Sequence, residues 1–347
     1  MNLARFDTIT SRYSRLRIAV VGDFCLDRYL EIDPAKSEMS IETGLEVHNV
    51  VRVRSQPGAA GTILNNLVAL GIGQITPVGF CGDDGEGYEL TASLRKMSNV
   101  RLDHFLQTPE RRTFTYCKPL VIETGKAPRE LNRLDSKNWS PTPEPVRAKL
   151  RDSFHAVAQE SDAVIIMDQV DLPDTGVVTR DLLDSVRHVA TQRPELLIIA
   201  DSRRSLKGWP PVLLKMNHAE LAALSGTPPD GSVEQIKAMA GELARHHGRP
   251  VFVTLAEQGI VGAEPGGTAH HQQAFPVRGD IDIVGAGDSV TANLAVSVAA
   301  GATVSEALEL AMAGASVVIH QLGTTGTASV IQIRELLGAT CHTHQAW

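Results

Sequence analysis

Short continuous runs of Val, Ile and Leu recur along this chain, separated by stretches that contain helical patterns. They fall at residues 17–21, 163–167, 196–200 and 251–255. Apolar runs of strand length without polar alternation belong to strands covered on both faces, as in a buried parallel sheet. Between and after them lie helical patterns at 145–158, 177–191, 233–246, 289–300 and 305–320. Strands alternating with helices in this way predict an α/β fold, a doubly wound and mainly parallel central sheet flanked by helices. Such sheets bind ligands beyond the carboxyl ends of their strands. Asp23, Asp168, Asp201 and Glu257 stand at or just past those ends, although any one of them alone also reads as a polar loop residue.

Two regions break the alternation. Residues 31–54 and 112–134 are rich in β-branched and charged side chains with little helical period, and read as strands of a small β lid packed over the main sheet. Residues 1–337 then form one domain, and 338–347 read as a disordered tail that includes His342 and His344. A half-built lid exposes apolar surface and points to a homodimer formed through it. The 347 residues suffice for a large core, with 21% charged and 43% hydrophobic residues as in ordinary globular proteins. A net charge of −7, 4% aromatics and no dense Lys/Arg run argue against a nucleic-acid platform. The cysteines Cys25, Cys81, Cys117 and Cys341 are scattered without a C-x-x-C pair, as expected of reduced thiols in a cytoplasmic protein. The first fifteen residues lack a signal-peptide core, and the longest small-apolar stretch, 294–304, is too short to span a bilayer.

The segment Asp282-Ile-Val-Gly-Ala-Gly-Asp288, followed at once by Ser289-Val-Thr-Ala-Asn-Leu-Ala295, carries the chemistry. Two glycines let backbone approach a ligand, and the first N–H groups of the following helix have no partner within it. A helix start of that kind attracts anions. Asp288 thus places a base beside a site built for negative charge, the pairing that phosphoryl transfer to a hydroxyl requires. The alternative is an N-terminal cap.

This segment resembles the D-x-x-G-A-G-D signature of the ribokinase-like (PfkB) carbohydrate kinases, and other landmarks of that family follow in its order. They are Ile18-Ala-Val-Val-Gly-Asp23 leading to Leu26-Asp27-Arg28-Tyr29, the helix entry Pro57-Gly-Ala-Ala-Gly-Thr62 with Asn66, Asn217-His-Ala-Glu220, and Thr254-Leu-Ala-Glu-Gln-Gly259. The likeness spans residues 16–337. It implies ATP and Mg²⁺ as cofactors, a sugar or sugar phosphate as substrate and a β lid over the sugar. Asp288 is then the base, with Gly285, Ala286 and Gly287 at the anion hole. Asp27 receives sugar hydroxyls, beside Gly58, Ala59, Thr62 and Asp282. Asn217, Glu220, Thr254, Glu257, Gly259 and Arg203 fall to the nucleotide, with Glu220 holding Mg²⁺ through water. The residues themselves leave alternatives open: Asn217 and Glu220 also fit a capping box, Asp27 a salt bridge to Arg28, and Arg203, Arg204 and Lys207 a solvated loop. His270 and His271 lack metal-ligand spacing.

Ala59 and Thr62 replace the family's usual Gly and Asn. Within the family the N-terminal third is most similar to the heptose-7-phosphate kinases, through Gly22-Asp-Phe-Cys-Leu-Asp-Arg-Tyr29, residues 57–71, Arg133-Leu-Asp135 and Gly323-Thr324. Two cations of that branch are missing, with Glu38 where it has Arg and Asp168-Gln-Val-Asp-Leu172 where it has D-Y-x-K-G. Arg203 and Arg204 are then the nearest groups for a substrate phosphate. The competing readings are a kinase of an unphosphorylated sugar or nucleoside, and a catalytically silent binding protein on the same fold. A nicotinamide dehydrogenase is a weaker reading than either, because Val21-Gly-Asp-Phe24 is not G-x-G-x-x-G.

Overall fold

A computed structural model describes residues 1–226 and 231–343, with side chains through residue 339. Helix α1 (Leu3–Thr10) precedes the first strand, β1 (Arg17–Gly22). After Asp23 the chain leaves the main sheet as β2 (Phe24–Ile32), makes the small hairpin β3 (Glu38–Met39) and β4 (Glu46–Val47), and returns along β5 (Val50–Ala59) into α2 (Ala60–Ala69). Then come β6 (Gln74–Gly82), α3 (Gly85–Arg95) and β7 (Phe105–Thr108), followed by a second excursion, β8 (Phe114–Val121) and β9 (Arg129–Glu130). Next follow α4 (Glu144–Glu160), β10 (Ala163–Asp168), α5 (Arg180–Gln192), β11 (Leu197–Ser202), β12 (Leu213–Asn217), α6 (His218–Ser225), α7 (Val233–His247) and β13 (Val251–Thr254). The hairpin β14 (Ile260–Ala263) and β15 (Ala269–Gln272) leads into α8 (Ala286–Ala299), α9 (Val304–Ile319) and α10 (Val330–Thr343).

The main sheet has nine strands in the order β15-β14-β13-β12-β11-β10-β1-β6-β7. All neighbours are parallel except β13–β14 and β14–β15. Period-two side-chain alternation splits each strand between two cores. Ile18 and Val20 of β1, Ile165 of β10 and Ile199 of β11 join Leu64 of α2, Leu294 of α8 and Leu308 of α9 on one face. Ala19, Val21, Val164, Ile166 and Ile198 join Leu150 of α4, Val186 of α5 and Ala240 of α7 on the other. That two-sided cover explains the continuous apolar runs: every residue of β10 is buried. The order changes direction at β1, with β6 on one side and β10 on the other, so a crevice opens beyond the ends of β1 and β10.

The lid is a four-stranded sheet in the order β5-β2-β8-β9. It is longer than the sequence suggested. β2 and β5 pair from Phe24–Ala59 to Ile32–Val50, so the lid begins at Phe24 and not near residue 31, and Asp27 is itself a lid residue. Only Asp23 separates the main-sheet strand from the lid strand, which hid the boundary in one apolar stretch. The expectation of a loose tail from residue 338 is also corrected: α10 runs on through Thr343. Residues 344–347, including His344, lie outside the described residues, as do the side chains of Cys341 and His342. Cys25, Cys81 and Cys117 are free and buried. Among the described residues no helix is long and apolar enough to cross a membrane.

Candidate active site

Helix α8 begins at the crevice. Its cap is Gly285 in the left-handed region (φ 85°), a turn that an L side chain rarely adopts. Asp288 lies in the first helical turn and does not cap the helix; it is 7% exposed. Its Oδ1 is buried without a hydrogen-bond partner among the described residues, and the Arg203 guanidinium stands 3.5 Å from it. Burial pushes the carboxyl up to about 6, against the pull of Arg203. A carboxylate with a free lone pair, ionised for the most part at neutral pH yet more basic than usual and next to a helix start, is equipped to take a proton beside a phosphoryl group.

A cavity of about 470 Å³ adjoins it, lined by Asp27, Ala59, Thr62, Gly285, Gly287, Asp288 and Arg203. Of the residues expected at the sugar, Asp27, Ala59 and Thr62 therefore meet Asp288 at one cavity. Gly58 lies behind Asp27, where a Cβ would come within 2.5 Å of Asp27 Oδ2. Asp282 lines an adjoining cavity of about 490 Å³ and accepts the N–H groups of Val284 (3.0 Å) and Gly323 (3.2 Å). Asp27 does not pair with Arg28, which binds Glu89 (2.7 Å) and Glu86 (3.6 Å). Its partner is Lys118 of β8 at 3.5 Å, and burial raises the Asp27 carboxyl despite that cation.

Three cations that the sequence reading did not assign also line the cavity: Lys118, Arg133 and Lys137. Arg133 lies 4.7 Å over the Tyr116 ring and pairs with Asp135 (3.0 Å). Lys137 reaches Asp171 at 2.6 Å. Asp171 lies within the stretch where the related kinases carry D-Y-x-K-G, so a lysine from the segment after the lid strands comes to a site from which the strand-end lysine is gone. Nothing in the local sequence links residues 137 and 171; the fold brings them together. Arg204, by contrast, is unsuited to a ligand. It grips the fully buried Asp168 through Nε (3.1 Å) and Nη2 (2.9 and 3.0 Å), with Ser202 Oγ on the same carboxylate at 2.7 Å. Asp23 is structural as well, accepting the N–H groups of Gln169 (2.9 Å), Val170 (3.3 Å) and Val177 (2.7 Å).

At the next strand end, Asn217 and Glu220 form a reciprocal capping box on α6, with bonds of 2.8 and 2.9 Å. Asn217 pairs in register with Thr254, and Glu257 and Gly259 (φ 97°) make the turn from β13 to β14. These residues share one end of the sheet, apart from the cavity beside Asp288. Among the described residues no cluster of three or more His, Cys, Asp or Glu could hold a metal. The box uses Glu220 Oε2 and leaves its other oxygen for a water of hydration, which fits Mg²⁺ retaining most of its water shell.

A mainly parallel sheet, a helix start after Gly285, a carboxyl whose pKa burial raises to about 6 and a polar cavity beside the lid thus meet at one crevice. The sequence matches the pfkB family of carbohydrate kinases over residues 16–330, and the chain belongs to that family. It is 30% identical to the bifunctional protein HldE of Hyphomonas neptunium over 96% of this chain and 66% of that protein. It is 27% identical to HldE of Azorhizobium caulinodans over 88% of this chain and 61% of that one. The chain thus spans somewhat less than two thirds of these relatives. The Arabidopsis thaliana ribokinase complexed with ribose and ATP has the same fold, with 20% identity, 93% and 98% of the two chains covered and a TM-score of 0.66. Phosphofructokinase-2 from Escherichia coli in complex with potassium gives 18%, 94% and 99%, with a TM-score of 0.69.

Proposed function

We propose that this chain transfers the γ-phosphoryl group of ATP to a hydroxyl of a phosphorylated sugar, of the kind used by heptose-7-phosphate kinases, in the cytoplasm and as a homodimer joined through its lid. The observation that carries the reading is Asp288, buried with an unpartnered oxygen at a cavity it shares with Asp27. Asp27 orients the acceptor by taking its hydroxyl protons in hydrogen bonds, since a carboxylate offers about four lone-pair sites. Asp288 accepts the proton of the attacking hydroxyl. The N–H groups of Ala286, Gly287 and Asp288 face the phosphoryl group as its charge develops. Glu220 and Asn217 would hold Mg²⁺ through water, and the metal supplies charge neutralisation on the phosphates. Thr254, Glu257, Gly259 and Arg203 serve the nucleotide. Lys118, Arg133 and Lys137 support a phosphate on the acceptor.

One observation favours an unphosphorylated acceptor. Each of these cations already has a carboxylate: Lys118 has Asp27, Arg133 has Asp135 and Lys137 has Asp171. Such a balanced wall also suits a neutral polyol. Turnover with ATP and Mg²⁺ on pairs of sugars with and without a phosphate decides between them. The proposal expects kcat/KM at least tenfold higher for the phosphorylated member of a pair. A reversed ratio assigns the neutral sugar, and no turnover on any acceptor, with ATP still bound, assigns a silent binding protein.

A further inference from the structure

Lys215 is a buried cation that the mechanism above does not use. It lies on β12, 4% exposed, and its ammonium donates to Asp201 Oδ2 at 2.8 Å. Thr291, on α8 beyond Asp288, donates to the same oxygen at 2.9 Å, and Asp201 is 1% exposed. The pair therefore sits under the first turns of the catalytic helix, pinned by two strands and the helix itself. It lies against Gly287, where a Cβ would meet Lys215 Nζ at 3.3 Å and, outside its own helix backbone, no other atom within 4 Å. Gly287 lines the acceptor cavity beside Asp288. The ammonium thus rests against the backbone of the anion hole, at a residue whose missing side chain leaves nothing between the two.

An ammonium has three donors. Among the described residues Asp201 takes one by hydrogen bond, and no other hydrogen-bond acceptor meets the ammonium. Burying a lysine is costly, and a buried ion pair often does no better for stability than an apolar pair of similar volume. Placed here, however, the charge lies where negative charge gathers on a transferring phosphoryl group, in a low-dielectric setting where a fixed cation is most effective. We infer that Lys215 is a further catalytic residue, a ligand of the transferring phosphoryl oxygens from beneath Gly287, and that Asp201 is the positioning residue that holds it there.

The inference rests on the kinase reading and can fail without it. Lys215→Met alone leaves Asp201 buried and unpaired, so the test uses neutral pairs: Lys215→Met with Asp201→Asn, and Lys215→Gln with Asp201→Asn. Each is expected to melt cooperatively and to bind ADP within about twofold of wild type, since ADP lacks the transferred group. kcat should fall by about 10²–10³, the loss seen when one stabilising donor is removed from such a site. Wild-type kcat in a folded pair overturns the inference, and so does an ADP affinity that falls in step with kcat, which would make Lys215 a general nucleotide contact. A structure of the wild-type enzyme with ADP and aluminium fluoride decides even if neither pair folds. Nζ at hydrogen-bond distance from a fluoride upholds the assignment, and a longer separation overturns it. If the wild type phosphorylates nothing, or Asp288→Asn leaves its turnover unchanged, the kinase reading itself has failed.

Discussion

Asp288 sets a residue-scale conflict between stability and chemistry. Burial raises its folded pKa to about 6 from the ordinary 3.8. Between those values the folded state binds a proton that the unfolded state has released, so stability falls as pH rises through the window and stays at the lower level above it. Asp288→Asn removes that term and should be more stable at pH 7.5 by about 1–3 kcal/mol, with the gain vanishing towards pH 4. The same variant should lose about 10²–10⁴ in turnover, and wild-type kcat should decline below about pH 6 as the base becomes protonated. Denaturant titrations at the two pH values and a pH–rate profile check both halves. A less stable Asn variant would mean that Asp288 anchors the helix start instead of straining it. Ala59 makes a second residue-scale case. It caps α2 at φ 53° and ψ −117°, a backbone region costly for any side chain. The family's usual glycine relieves that strain, so Ala59→Gly should stabilise the fold by about 1 kcal/mol in thermal or denaturant unfolding. A loss of stability would show that the methyl packing outweighs the strain.

At the scale of elements, what the sequence made legible was local. The runs at β1, β10, β11 and β13 were readable because both faces of each strand are apolar. The start of α8 was readable because glycines and a carboxylate stand together there. β6 escaped because Thr76, Pro77 and Gly79 punctuate it; Pro77 falls where the outer side of the strand has no partner, between the Ile75–Val100 bridge and the Gly79–Phe105 pair. β12 escaped because Lys215 looks like an interruption, and only Asp201, from another strand, makes its burial tolerable. The cavity cations were illegible for the same reason, since their roles depend on contacts distant in sequence. Lys118 tests that contribution. Its side chain is 13% exposed, and its ammonium has only long contacts, 3.5 Å to Asp27 and 3.4 Å to the Tyr29 hydroxyl. Donor capacity is therefore left for an acceptor. Lys118→Met should raise the acceptor KM by about tenfold or more, the cost of one lost charged hydrogen bond, with the KM for ATP within about twofold. Equal changes in both would make Lys118 a general support of the lid.

For the whole molecule, the lid poses a problem that a single copy does not solve. β5 is an edge strand, and its first four residues are exposed on both faces. Val50, Val51 and Val53 are 43–48% exposed there, and the nearby hairpin shows Met39 at 62% and Ile41 at 102%. A long edge with free backbone groups and exposed β-branched side chains is a template for strand pairing unless something covers it. The arginines Arg52 and Arg54 interrupt the patch, but both turn to Glu31 of the neighbouring strand, at 3.9 and 2.6 Å. Their charge is thereby partly neutralised and guards the edge less than a free lysine would. A second lid is the cover with matching chemistry, because a two-fold pairing brings the same apolar strip against itself. The expected outcome is a dimer in sedimentation equilibrium at micromolar concentration. Val51→Lys with Val53→Lys should shift it to monomer while leaving the far-UV spectrum unchanged, since neither side chain belongs to the core. The consequence should reach the site selectively. Asp27 and Lys118 ride on this sheet, whereas Asn217, Glu220 and Thr254 belong to the main one, so the acceptor KM should rise in the monomer with little change for ATP. A monomeric wild type would leave the strip to some other cover and break the link between assembly and acceptor binding.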